Sequence, residues 1–557
     1  MIESACSALH DATFIKYANT AAPPFMTSSL PTSAPPASTL IVKMNPPLDL
    51  DAFKEWRDTR NRLKHSMHSF RDACTTLRQA IEGFTLSSVG HAAIEEIILN
   101  VHNQMDELDI IESTMMESRA VLYQVANRST TLVPINVLPP EVLARVFSSA
   151  ALTASCLYQS TSVHALHPLV VIPSVCARWR HLALNTPSFW SHIDIEEARI
   201  SKNRGKLSLR RTELWVERAR GAPLALDFWG KQSQQKQDKR QLTSILRRHV
   251  ARIVSLSLHK TTEFFFRAML SDLLPGRGRL SSLTTLVVDQ VRLSRKIPHP
   301  TWPNPVLRNM FDLQLIDLPG PVSPGLNEFA SLLSSSPHLH TLRLRNTQFS
   351  SGHEVECPTI ILPHLRLLDL SIQRNPEFRK LVSVLNPGTL ELEVQLNFSV
   401  GDPLGSESTI EALLQRSYVS RLVVRDSAQS DTQELIGYLN CLPDLRVLVL
   451  DFAKDYLSVT FDALLKRDFD GTIVARCPSL QALQILGGVV NSQAQHQLIQ
   501  VIKTYSLEEL AFKYRTSFFC NPGDLDMNGL FEWARRRVQN VVYDSEPRDI
   551  ETEVCTL

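Results

Sequence analysis

The chain has 557 residues, 43% of them apolar, with 58 Lys+Arg against 57 Asp+Glu and a formal net charge of +1. That length corresponds to about three or four domains and supplies apolar residues for a large core, while the near-neutral balance argues against a dedicated polyanion binder, which carries a basic excess. Nine cysteines, at positions 6, 74, 156, 176, 357, 441, 477, 520 and 555, form no CxxC; this speaks against a disulfide framework or thiolate zinc site and for a reducing compartment, cytosol or nucleus.

The opening Met1-Ile2-Glu3-Ser4-Ala5-Cys6 lacks the basic start and apolar run of a secretion signal. The densest apolar stretch, residues 169–172, is cut at Pro173, far short of the ~18–20 residues that span a bilayer, so no membrane partner is expected. Residues 21–50 hold seven prolines and seven Ser/Thr but only two charges, Lys43 and Asp49. Such a stretch resists helix and has little to bury, and residues 1–50 read as a disordered tail.

Residues 51–130 change character. Phe53, Trp56, Leu63, Met67, Phe70, Cys74, Leu77, Ile81 and Phe84 fall on alternating three- and four-residue steps, missed only at Arg60. A second run has Ile94, Val101, Leu108, Met115 and Leu122 at intervals of seven, with Ile97, Ile111 and Val125 on the neighbouring seam. These heptads predict two helices, separated by the turn-rich Thr85-Leu86-Ser87-Ser88-Val89-Gly90. The simplest arrangement is an antiparallel hairpin that satisfies its own seam; the same seams also allow a dimerising coiled coil.

Within residues 134–195, Pro139-Pro140 precedes Glu141, and Val142, Leu143, Val146 and Phe147 make one apolar helix face. Residues 148–167 read as an insertion or loop. A second helix is predicted near Ser174, with Val175, Trp179 and Leu182 at i, i+4 and i+7, stopping around Asn185-Thr186-Pro187; Phe189, Trp190 and Ile193 add apolar bulk. Leu138-Pro139-Pro140-Glu141-Val142-Leu143 with Val146-Phe147, followed by Val175-Cys176, Trp179-Arg180, Ala183, Pro187 and Trp190, closely resembles the F-box, and most of all the F-box proteins of mushroom-type fungi in which a helical spacer precedes the box. The departure is the long gap between the two halves, with Pro173 just before the second helix.

From about residue 210 an irregular repeat sets in. The string Pro-x-Leu-x-x-Leu-x-[Leu/Ile] occurs at Pro337, Pro363, Pro443 and Pro478, and looser copies start at Ile253, Leu283, Met310, Val419 and Leu507. Apolar helical stripes lie between copies, such as Leu326/Phe329/Leu332/Leu333. A short strand plus a helix every ~20–29 residues is leucine-rich-repeat arithmetic, and units with an apolar face they cannot bury alone must stack. The position three past the last leucine holds Thr347, Gln373 or Lys454, so no asparagine ladder is evident. The expected fold class is therefore α plus α/β: an N-terminal helical hairpin or coiled coil over 51–130, a small helical module over 134–195, and a leucine-rich-repeat-like α/β solenoid over 210–557 ending in a C-terminal cap around Phe531-Glu532-Trp533. A doubly wound enzyme sheet is the rival, but Gly276-Arg277-Gly278 lacks a third glycine.

No catalytic chemistry is advertised. There is no GxSxG elbow, Walker loop or HExxH helix, and the pairs His164/His167 and His65/His68 have no neighbouring Cys or carboxylate at ligand spacing. No metal and no cofactor are expected. The basic stretch from Lys231 to Arg248 reads as a solvated loop leading into a helix, so no nucleic-acid partner is expected.

The F-box resemblance implies a non-catalytic substrate-recognition subunit of an SCF-type cullin ubiquitin ligase. It implies a Skp-type adaptor, and through it a cullin, docked on Leu138, Pro139, Pro140, Glu141, Val142, Leu143, Val146, Phe147, Val175, Cys176, Trp179, Leu182 and Trp190. Strand alternation then turns Arg343, Arg345, Asp369, Arg421, Arg425, Asp451 and Gln484 outward as candidates to face a protein substrate, with Thr341, Glu509 and Lys513 in matching positions. An F-box scaffold with no role in ubiquitination is the alternative function, and a divergent α/β enzyme a more distant one.

Overall fold

The heptad residues form helices where their spacing places them. A computed structural model describes residues 50–84, 91–128, 133–157, 168–196, 204–230, 236–270, 283–293, 302, 307–349, 358–371, 375–398, 407–426, 432–519 and 527–543, in two units, 1–139 and 140–557. The expected tail before Leu50 and residues 158–167 of the expected insertion lie outside the described residues.

In the first unit, helices α1 (Leu50–Phe84), α2 (His91–Asn103) and α3 (Met105–Arg128) are followed by a 3-10 turn, Pro134–Val137. The second heptad run is thus two helices that break at Gln104. The hairpin is not closed: Phe53, Trp56, Leu63, Met67, Phe70 and Leu77 stand 37–55% exposed, and Ile97, Val101, Ile111, Leu122 and Val125 are exposed as well. Backbone hydrogen bonding makes each helix locally, whereas burying a seam needs a second surface, which heptad spacing cannot identify. The side chains of Phe84 and Ile94 lie outside the described residues.

The second unit opens with α4 (Pro140–Leu157), α5 (Pro168–Val175), α6 (Ala177–Leu184) and a 3-10 turn, Pro187–Trp190. Two expectations are corrected here. The first helix runs well past Phe147 into the expected insertion. The second helix is two, with Pro173 inside α5 and the break at Cys176, whose extended backbone (φ −156°, ψ 168°) and Sγ, accepting from the Trp179 N–H at 3.5 Å, start α6.

The strands that follow are β1 (His192–Glu196), β2 (Leu224–Trp229), β3 (Ile253–His259), β4 (Thr285–Asp289), β5 (Asp312–Ile316), β6 (Thr341–Arg345), β7 (Ile360–Leu362), β8 (Leu367–Ser371), β9 (Leu385–Pro387), β10 (Leu392–Phe398), β11 (Val419–Asp426), β12 (Val447–Tyr456), β13 (Leu465–Arg467), β14 (Ile473–Ala475), β15 (Ala482–Asn491), β16 (Glu509–Phe519) and β17 (Asn540–Tyr543). Between them run α7 (Arg204–Arg218), α8 (Lys236–Arg247), α9 (Glu263–Ala268), α10 (Leu326–Ser334), α11 (Pro376–Val384), α12 (Glu407–Gln415), α13 (Thr432–Asn440), α14 (Ser458–Ala463), α15 (Ser492–Thr504) and α16 (Met527–Arg535). Among the described residues, thirteen strands form one parallel sheet in the order β1-β2-β3-β4-β5-β6-β8-β10-β11-β12-β15-β16-β17; β7 pairs with β9, and β13 with β14. The order follows the chain and never reverses. A doubly wound sheet binds its ligand where strand order reverses, and this sheet offers no such point; it resembles a repeat solenoid, whose units stack only on their neighbours. It begins at His192, upstream of residue 210.

The repeat leucines make the buried face. Leu342 lies beside Leu368 and Leu448 beside Leu483 in register, all without exposed surface. The asparagine position is taken by Thr347, fully buried, whose hydroxyl donates to the carbonyls of Leu315 (2.9 Å) and Arg345 (3.1 Å). A second ladder runs along the strand ends. The N–H groups of Gly230, Lys260, Gln290 and Asp317 donate to the carbonyls of His259, Asp289, Ile316 and Arg345 at 2.7–3.0 Å. Lys260, Gln290, Asp317 and the equivalent Asn346 adopt left-handed backbone (φ 47–56°). This lets the chain leave the sheet sharply after each strand.

Candidate functional site

The helical module has an aromatic core. Leu143 and Phe147, one turn apart on α4, are buried, and the Phe147 ring packs on Trp179 (centroids 4.7 Å) and Phe189 (6.4 Å). Trp190 is also buried. Its indole N–H donates to the Ala183 carbonyl at 2.8 Å, its ring meets the Trp215 ring on α7 at 5.8 Å, and the Arg218 guanidinium lies 4.4 Å from its centroid. The module is thereby packed onto the first helix of the sheet region.

This core divides the residues expected to dock an adaptor. Leu143, Phe147, Trp179 and Trp190 are interior, so they shape a surface without forming it. Val146, Cys176 and Leu182 are half-buried, while Pro140, Glu141, Val142 (42%) and Val175 (38%) are exposed. Leu138, half-buried, and Pro139, exposed, belong to the preceding unit. Val170, which the sequence reading did not single out, is exposed too; its place in an apolar run hid it, because only the turn of α5 decides which of residues 169–172 face out.

The sheet brings the second set of candidates onto one face. Arg345 donates to Asp369 (Nε to Oδ2, 2.8 Å), and the other Asp369 oxygen accepts from Asn397 at 2.9 Å. The Gln395 carbonyl accepts from Arg345 (3.5 Å) and Arg425 (3.0 Å), and Arg425 lies 3.6 Å from Asp451. Arg421 lies 3.5 Å from Glu393 and donates to Gln484 at 3.2 Å, which donates in turn to Glu509 at 2.8 Å. Arg343 faces Asp312, whose carboxyl is pushed up by burial against the opposing pull of Gln314 and Arg343. Asp369, expected to face outward, has no exposed surface; it is the counter-ion that holds Arg345 and Asn397. The sequence reading also missed that Val423, Val449 and Leu486 form a buried apolar cluster, with Val447 against it. Cross-strand register, not alternation along one strand, builds both features.

The first strands carry a different set. His192 Nε2 lies 3.1 Å from Asp194 and 3.3 Å from Asp227. Burial pulls the imidazole pKa down, but the hydrogen bond to Asp194 and the charges of Asp227 and Asp194 outweigh it and raise the value. These three offer one nitrogen and two oxygens within 4.8 Å, the one His/Cys/Asp/Glu group among the described residues spaced to hold a metal ion. The sequence reading expected no metal site, and ligands spread from 192 to 227 leave no spacing motif to find. Beside them Trp229 stacks on His259 (4.0 Å, 7°), which lies 3.3 Å from Asp289.

Fold and faces together show a large parallel sheet that resembles a repeat solenoid, with a helical module packed on its first helix. No family model and no curated protein matches the chain. Among solved structures, the crystal structure of the Rad7 and Elc1 complex in yeast is similar at 12% identity, over 80% of this chain and 97% of that one, with a TM-score of 0.34. No helix among the described residues is long and apolar enough to cross a membrane.

Proposed function

We propose that this chain is the substrate-recognition subunit of an SCF-type cullin ubiquitin ligase, acting in cytosol or nucleus. Residues 134–195 dock a Skp-type adaptor, and through it a cullin, and the polar face of β6 to β16 holds a protein substrate. The observation that carries this reading is that the two F-box-like strings, separated in sequence, meet in one small helical core, Phe147 on Trp179. That core presents Val142 and Val175 at its surface. Small exposed apolar side chains suit a compact docking patch, and the buried aromatics keep the helices that carry them in place.

The chain itself performs no bond chemistry in this reading. Trp190, wedged between the module and Trp215, couples adaptor docking to the sheet, so a substrate held there stays near the ligase-bound ubiquitin carrier. Holding it raises the effective concentration of its lysines. The face mixes arginines with carboxylates that already pair with one another, which favours a protein surface carrying both charges over a polyanion.

The test replaces exposed rather than interior residues. In co-purification with a Skp-type adaptor, the wild type binds, and Val142→Asp/Val175→Asp weakens binding by about 100-fold with an unchanged circular dichroism spectrum. A wild type that fails to bind the adaptor, or a folded double variant that binds equally well, would sink the proposal.

A further inference from the structure

We propose that helices α1, α2 and α3 associate with the same helices of a second copy of this chain, forming an antiparallel bundle of two α1 and two α2–α3 segments. In one chain neither seam is covered: Leu63 and Phe70 of α1, and Ile111 and Leu122 of α3, are exposed. Amphipathic helices of 35, 13 and 24 residues gain most of their stability from burying such a stripe.

Three features select a second copy as the occupant. First, the apolar face of α2–α3 is wider than a two-helix seam. Ile98, Met105 and Val121 flank the heptad positions and are exposed, and a single opposing helix covers only the seam; flanking apolar residues need another helix, as in a four-helix bundle.

Second, the segments are complementary in charge. Helix α1 has seven Lys/Arg against five Asp/Glu, formally +2, whereas α2 and α3 have two against seven, formally −5. The residue after each of Trp56, Leu63, Phe70 and Leu77 is basic: Arg57, Lys64, Arg71 and Arg78. Antiparallel pairing of α1 with another α1 would set these four against themselves, while pairing with α2–α3 sets them against an acidic segment. Each chain therefore carries both halves of a self-complementary, two-fold contact.

Third, the size is sufficient. Seven exposed seam side chains on α1 and five on α2–α3, with Ile98, Met105 and Val121 beside them, in each of two chains and at roughly 40–50 Å² each, remove on the order of 1,300 Å² from water, within the range of specific interfaces.

Sedimentation equilibrium of the full chain, from about 1 to about 50 μM, reads the mass directly. The expected mass is twice the 62.7-kDa chain. Leu63→Glu/Phe70→Glu shifts it to the monomer, raising the dissociation constant by at least about 100-fold. Arg57→Glu/Lys64→Glu/Arg71→Glu/Arg78→Glu, which keeps the apolar seam, weakens the dimer by about tenfold at low salt. A monomeric wild type at about 50 μM, whether its own hairpin closes or another protein covers the seam, overturns the proposal. So does a dimer that persists undiminished in Leu63→Glu/Phe70→Glu.

Discussion

Single side chains knot this fold together where strands and helices leave backbone groups unpaired. The Tyr505 hydroxyl accepts from the N–H groups of Arg476 (3.1 Å, part-buried) and Cys477 (3.3 Å) and donates to the Leu464 carbonyl (2.6 Å), the last two in the interior. Tyr505→Phe removes these three hydrogen bonds, although the Arg476 N–H still donates to the Leu464 carbonyl at 3.1 Å, and is expected to cost about 2 kcal/mol in urea unfolding. Burial also pushes the Tyr505 phenol and the Cys477 thiol up to about 12. In the unfolded chain these groups ionise near 10 and 9, while the folded chain keeps its protons, so stability falls as pH rises from about 9 towards 12. Urea midpoints measured across that window should decline, and decline less in Tyr505→Phe; a flat profile would contradict the assignment.

At the scale of the element, the hydrogen bond that follows each strand is met by different backbones, left-handed at Lys260, Gln290 and Asp317 but not at Gly230. Gly230 has no room for a side chain, since a Cβ would stand 2.5 Å from the Lys260 carbonyl oxygen and 2.8 Å from the Thr261 Cα. Lys260, one repeat on, is a non-glycine residue held at φ 54°, where an L-residue costs about 1 kcal/mol. Equivalent positions should therefore respond with opposite sign. Gly230→Ala is expected to lower stability by about 2 kcal/mol through forced backbone displacement, and Lys260→Gly to raise it by about 0.5 kcal/mol as strain is relieved, less the entropy of a new glycine. Thermal unfolding of both variants decides this, and a destabilised Lys260→Gly would show the left-handed turn to be unstrained.

For the repeat unit as a whole, the strictly sequential sheet means that each repeat senses only its neighbours. After β16 come α16 and β17, with Phe531 packing on Phe512 (5.2 Å), Phe518 (5.9 Å) and Tyr543 (5.3 Å). The segment expected to form a cap holds a helix followed by the last strand of the sheet among the described residues. Phe531→Ala removes about 3–4 kcal/mol of packing, and in hydrogen exchange this loss should appear in β16 and β17 while β2 to β4 keep their protection. Equal deprotection across the sheet would show instead that the repeats unfold as one unit.

Much of this was legible in the order of residues. Heptads marked α1 to α3, proline strings marked β6, β8, β12 and β15, and the tryptophan spacing marked a helical module, because helix and strand periods are imposed by local backbone geometry. Strand β10, with Leu392, Val394 and Leu396 but no proline string, escaped that reading, as did β1 and β2. What no periodicity could reveal was which surface covers which. The sheet buried Asp369 under Arg345, turned Phe147 and Trp179 inward while leaving Val142 and Val175 outside, brought His192 to Asp194 and Asp227 across two strands, and left the α1 seam open. Local spacing determines which way a side chain points from its own element; only packing between elements distant in sequence determines what it meets there.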